Sequence, residues 1–71
     1  MSLIISNQYT LDNDDNYENA CDMFSDDSIE WQDDCDMGDA DYYQYEQILG
    51  CDDRFCVLYT SNDREIARVL V

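Results

Sequence analysis

Forty-two consecutive residues, 12–53, hold sixteen carboxylates and not one basic side chain. Charge runs of this kind are usually solvated surface, because a buried, unpartnered carboxylate neutralises rather than stay charged. The apolar core must then come from the flanking segments and from whichever positions of the acidic stretch point inward. The full chain sets 18 acidic residues against three arginines, with no lysine, histidine or proline, for a formal net charge of −15.

That balance excludes several classes of function. A polyanion repels nucleic-acid phosphates and anionic lipid, so direct binding to DNA, RNA or a membrane surface is not expected. No run of roughly 18 apolar residues is present to span a bilayer. Met1-Ser2-Leu3-Ile4-Ile5 lacks the basic region and long apolar stretch of a signal peptide, so the expected location is the cytoplasm. Without histidine, imidazole acid–base chemistry is absent. At 71 residues the expectation is a single domain, 1–71. A domain of that size buries only roughly 60% of the surface its unfolded chain exposes. Nearly all of the 45% apolar fraction is needed for the core, which leaves no room for a large catalytic cleft. The chain reads as a binding protein, not an enzyme. Six tyrosines and Trp31 set it apart from disordered acidic tails, which are poor in aromatics.

Charge divides the chain into three zones. Residues 1–11 carry no charged side chain, residues 12–53 are acidic, and residues 54–71 hold all three arginines with only Asp63 and Glu65 as acids. In the last zone, Phe55–Thr60 and Arg64–Val71 read as two strands of a hairpin, rich in β-branched and aromatic residues. Ser61-Asn62-Asp63 supplies the turn. An isolated hairpin is marginal in water, and the uncharged segment from Leu3 to Thr10 is the natural third strand. In the middle zone, Tyr17, Ala20, Cys21 and Phe24 fall at i, i+3, i+4 and i+7, which predicts a helix over Asp14–Phe24. A second helix is expected over Asp39–Leu49, with Asp39 as N-cap, Gly50 at C′, and Tyr42, Tyr45 and Leu49 facing inward. Ser25–Met37 fits either a short helix or an extended segment, and is read as a short helix. The expected fold is thus α+β: a three-stranded antiparallel sheet with two or three helices on one face, in the order β-α-α-α-β-β.

Asp-rich stretches invite a calcium reading, which position tests. An EF-hand loop needs oxygen ligands at positions 1, 3 and 5, glycine at 6 and glutamate at 12. Starting at Asp12 puts Tyr17 and Met23 at positions 6 and 12. Using Gly38 as position 6 puts Cys35 and Met37 at ligand positions and Gln44 at position 12. Both registers fail. Cys21, Cys35, Cys51 and Cys56 lack the close CxxC pairs of zinc sites, and are read as free thiols that pack as small hydrophobes. With so many carboxylates, some pair satisfies any glycosidase spacing, so that pattern carries no information. No metal or cofactor is expected.

Three readings of the acidic middle compete. Charge runs are usually solvated surface, yet ordinary surfaces intersperse both signs, because a large single-sign field destabilises the compact state. A halophilic origin suits the aspartate excess and absent lysine, but not the scarcity of alanine and glycine. The third reading is imitation of nucleic-acid phosphates. Duplex DNA carries one charge per about 1.7 Å, so the net charge matches roughly 25 Å of duplex. Helix neighbours at i, i+3 and i+4 stand about 5–6 Å apart, close to the phosphate spacing along one strand. Asp15, Glu18, Asp22 and Asp26 repeat at such spacing, and Asp27, Glu30, Asp33 and Asp34 extend the row. Asp63 and Glu65, beside arginines, are expected bystanders.

In size, charge and an acidic helical middle (residues 12–53), the chain resembles the small phage-encoded DNA mimics: anti-CRISPR, anti-restriction and uracil-DNA glycosylase inhibitor proteins. No residue motif carries this likeness. It implies a non-enzymatic inhibitor that occupies a basic DNA-binding surface, with an anti-CRISPR blocking a Cascade-type surveillance complex as the first expectation. An inhibitor of restriction or DNA repair, or an immunity or antitoxin partner of a basic nuclease, has the same electrostatics. The expected partner is in each case a basic nucleic-acid-binding protein or complex.

Overall fold

The computed structural model describes residues 3–71. Its elements are β1 (Leu3–Ile5), β2 (Tyr9–Thr10), α1 (Asp14–Met23), β3 (Tyr42–Ile48), β4 (Arg54–Tyr59) and β5 (Glu65–Leu70), with single 3-10 turns at Gln32–Asp34 and Met37–Asp39. The strands form one antiparallel sheet in the order β1-β3-β4-β5, and β2 pairs with β3 alongside β1.

This corrects the expected architecture. Among the described residues the sheet has five strands where three were predicted, one helix stands where two or three were predicted, and the order is not β-α-α-α-β-β. The decisive difference lies in residues 39–49. Tyr42-Tyr43-Gln44-Tyr45-Glu46-Gln47-Ile48 satisfies a helical spacing at Tyr42, Tyr45 and Leu49. It also alternates, and its aromatics favour a pleated surface. As a strand it is the sheet's centre, pairing with β1 and β2 on one side and β4 on the other. A helix there could not join the segment 3–10 to the hairpin, since β1 and β2 pair with β3 and not with β4 or β5. Leu49, expected inside, is exposed. Gly50 does adopt a positive φ of 88°, but in the turn from β3 to β4 rather than after a helix.

The short helix expected over Ser25–Met37 is absent too. Aspartate competes with helix by bonding nearby backbone, and this segment shows it happening. The Asp26 carboxylate accepts from the Ser28 N–H at 2.8 Å. Asp36 accepts from Gly38 N–H at 2.8 Å, while Asp39 accepts from Asp36 N–H at 2.9 Å. Asp33 and Asp34 take positive φ values of 52° and 60°, a region that aspartate tolerates better than most residues.

Helix α1 matches its expected range to within a residue. Asn13 caps it, its side chain accepting from the Asp15 and Asn16 N–H groups. Its buried side is turned from the one predicted: Ala20 and Phe24 are buried and Met23 half-buried, whereas Tyr17 is exposed. The hairpin of β4 and β5 is where it was expected, closed by Asp63 N–H to Thr60 O at 3.0 Å. The segment 3–10 does join the sheet, interrupted at residues 6–8. There Ser6 bridges the gap, its N–H donating to Tyr45 O and its Oγ accepting from Tyr45 N–H, both at 2.9 Å.

The core lies between α1 and one face of the sheet. Ala20 and Phe24 meet Tyr43, Cys56, Leu58, Ile66 and Ala67, with Tyr9, Met23, Trp31 and Val69 around them. Phe24 and Trp31 sit 6.0 Å apart, and Tyr9 stacks on Tyr43 at 5.1 Å. Ile66 joins Ala67 inside because a register shift beside Leu58 and Tyr59 lets both reach the same face.

Candidate functional site

Sixteen of the 18 carboxylates are exposed; Glu46 is buried and Glu65 half-buried. Their positions follow from the connection between β2 and β3. Residues 11–41 leave the sheet, form α1 across one face, then return as an irregular segment past β5. Its apolar residues, Ala20, Phe24, Ile29, Trp31, Cys35 and Met37, turn toward the core, so its acids turn outward.

The eight predicted site residues fall into three groups. Asp15, Glu18 and Asp22 are exposed on α1 at i, i+3 and i+7, a row along one side of a helix about 15 Å long. Asp26 and Asp27 continue past the helix end and are also exposed. Hydrogen bonds from Ser28, backbone first, hold the Asp26 pKa below its usual value. Glu30, Asp33 and Asp34 do not share the helix row. Glu30 lines an open hollow of about 480 Å³ with Glu65, Arg68 and Leu70. Asp33 pairs with Arg64 at the surface, a contact that adds little stability when this exposed. Asp12, Asp14, Asp36, Asp39, Asp41, Asp52 and Asp53 are exposed as well, so the charge is distributed more widely than the predicted row.

The three arginines offset little of this field. Arg64 faces Asp33, Arg68 donates to Glu65 at 2.9 and 2.5 Å, and Arg54 lies over the Tyr45 ring at 4.8 Å. Asp63 accepts from the Tyr42 hydroxyl at 2.8 Å. Among the described residues no group of three or more His, Cys, Asp or Glu side chains is placed to hold a metal ion. The four cysteines are unpaired. Burial pushes the Cys56 thiol up to about 12. Desolvation, then Asp39, Asp36 and Asp34, raises the Cys35 thiol.

Sequence reasoning missed the second face of the sheet, which no helix among the described residues covers. Tyr42, Gln44, Glu46, Val57 and Tyr59 lie on it, and the first four are buried. Polar side chains close over Val57. Gln44 Nε2 donates to Glu46 at 3.0 Å, the Tyr59 hydroxyl donates to the same carboxylate, and Tyr59 stacks on Tyr42 at 5.1 Å. Burial first, then the Asp63 hydrogen bond, pushes Tyr42 up to about 12; burial first, then the Glu46 bond, also raises Tyr59 above its ordinary value. The alternating polar positions 42, 44 and 46 were the available signal. The network shields Val57 at its centre without a second layer of helix, while the end of this face near β1 stays exposed.

No family model, curated protein or solved structure matches the chain.

A surface with this much unbalanced charge repels itself, and salt relieves the repulsion as the Debye length falls from about 30 Å at 0.01 M to about 3 Å at 1 M. The melting temperature is expected to rise by roughly 5–15 °C over that range, corresponding to about 1–2 kcal/mol in a domain of this size. Calorimetry across a sodium chloride series checks it; a flat or falling melting temperature contradicts a concentrated field. Folding only in molar salt marks a halophile.

Proposed function

We propose that this protein is a non-enzymatic inhibitor whose carboxylates stand in for DNA phosphates. It occupies the basic DNA-binding surface of a host defence complex in the cytoplasm, a Cascade-type surveillance complex being the first candidate. The observation that carries the reading is the density of exposed charge. A net charge of −15 over a longest dimension of 33 Å is one charge per about 2.2 Å, close to the about 1.7 Å of duplex DNA. The helix row of Asp15, Glu18 and Asp22, continued by Asp26 and Asp27, offers a partner several charges at once. Desolvating a basic channel costs the least when each cation meets a carboxylate.

The test is capture from a host lysate at low salt, elution with salt, and competition of the protein with duplex DNA for the eluted complex. Mutually exclusive binding is expected, with affinity falling steeply as salt rises, as when counterions return to a phosphate lattice. A complex that binds the protein and DNA together, or with an affinity indifferent to salt, refutes mimicry.

A further inference from the structure

The exposed large hydrophobic side chains are unevenly placed. Of Leu3, Ile4, Ile5, Tyr17, Ile48, Leu49, Leu70 and Val71, each at least 42% exposed, all but Tyr17 lie at one end of the sheet. Leu3 pairs with Ile48, Ile5 with Glu46, and Phe55 with Leu70. Leu3, Ile5, Ile48, Phe55 and Leu70 therefore share the face that no helix covers, because residues directly opposite one another project to the same side. β1 is also the last strand in the sheet order, so backbone groups along its outer side have no strand partner among the described residues. Edge strands are ordinarily protected by lysine, proline or an inward charge. Here residues 1–11 carry no charged side chain and no proline.

We propose that the β1 edge is a self-association surface, on which a second copy of this chain adds its own β1 to continue the sheet. Charge distribution selects that occupant. Two copies of net charge −15 can approach closely only where neither presents carboxylates, and the β1 edge meets this condition. The β3–β4 turn, with Asp52 and Asp53, lies one strand further in. The opposite edge, β5, is flanked by the 3-10 turn carrying Asp33 and Asp34 and by Glu65. A basic partner would find no counter-charge on β1 and is drawn to α1 instead. Antiparallel pairing about a two-fold axis is self-complementary: each strand's donors meet the other's acceptors, and Leu3 of one copy lies beside Ile5 of the other. Leu3, Ile5 and Ile48 of both copies then make one apolar strip. The inference is independent of the inhibitor reading.

Sedimentation equilibrium of the full chain, over a concentration and salt series, tests the proposal. A monomer–dimer equilibrium that tightens with added sodium chloride is expected, since salt screens repulsion between copies while leaving apolar burial intact. Ile5→Lys places an ammonium on the edge at an exposed position and should weaken the dimer by about tenfold or more. Tyr17→Lys, equally exposed but on α1, should leave it unchanged; circular dichroism confirms that both variants fold. A monomer at every salt and concentration overturns the proposal. So does a dimer that Ile5→Lys does not weaken, or one that Tyr17→Lys disrupts equally.

Discussion

Leu58→Ala is expected to leave the domain unfolded at low ionic strength and to let it refold as salt is added. Leu58 is fully buried in β4 between Tyr43 and Ala67, and it belongs to the cluster under α1. Removing three side-chain carbons there costs about 2–5 kcal/mol, because a sheet held from both sides cannot collapse around the gap. A domain of this length has on the order of 4–10 kcal/mol in total, and self-repulsion lowers that further at low salt. The melting temperature should fall by roughly 10–30 °C. Far-ultraviolet circular dichroism reads the unfolding, and Trp31, packed 6.0 Å from Phe24, reads it by fluorescence. Leu70→Ala, at an exposed position, should stay within a few degrees of the parent. A Leu58→Ala protein as stable as Leu70→Ala would show that the core lies elsewhere.

The second large effect concerns binding. Asp15→Asn, Glu18→Gln, Asp22→Asn and Asp26→Asn combined should weaken inhibition of a DNA-binding target by about a hundredfold or more, since charges that face a basic surface act together. The fold should persist. Asn keeps the oxygen that accepts from Ser28 at position 26. Loss of a favourable acid in the first turn of α1, Asp15, is offset by loss of an unfavourable one in the last turn, Asp22. Asp52→Asn with Asp53→Asn, in the β3–β4 turn, is a control away from α1 and should inhibit normally. Asp63 and Glu65 suit that purpose less well, because Tyr42 and Arg68 depend on them. Equal inhibition by the fourfold variant and the control removes α1 from the interface.

The parts of the fold that the sequence made legible are those where one periodicity stood alone. Asp14–Phe24 had only a helical reading, and Phe55–Val71 only a strand reading with a turn between. Both are present within a residue or two. Tyr42–Ile48 supported two periods, and the choice turned on what its neighbours needed, which no local pattern contains. The helix facing was misjudged for a related reason. Tyr17 looked like a core residue, yet the helix turns Ala20 and Phe24 inward and leaves the tyrosine exposed. The exposure of sixteen of the 18 acids followed from electrostatics alone; Glu46, buried under hydrogen bonds from Gln44 and Tyr59, did not. Their grouping did not, because Asp33 and Asp34 depend on a backbone path set by positive φ angles. The polar network of Gln44, Glu46 and Tyr59 was hidden by the helical reading of the same residues.

The segment between α1 and β3 has a consequence for redesign. Asp26, Asp36 and Asp39 bond backbone N–H groups, Asp33 and Asp34 occupy left-handed backbone, and Gly38 leaves the Asp36 oxygen its room. These carboxylates are stitches as well as charges. Glutamate, one carbon longer, would preserve the field and loosen the seam; asparagine would preserve the seam and thin the field. Asp15, Glu18, Asp22, Asp27 and Glu30 carry no such second duty in the backbone. The surface therefore holds two populations of acid, one freely exchangeable in length and the other tied to the course of the chain. The surplus of aspartate over glutamate, fourteen to four, is in part a requirement of architecture.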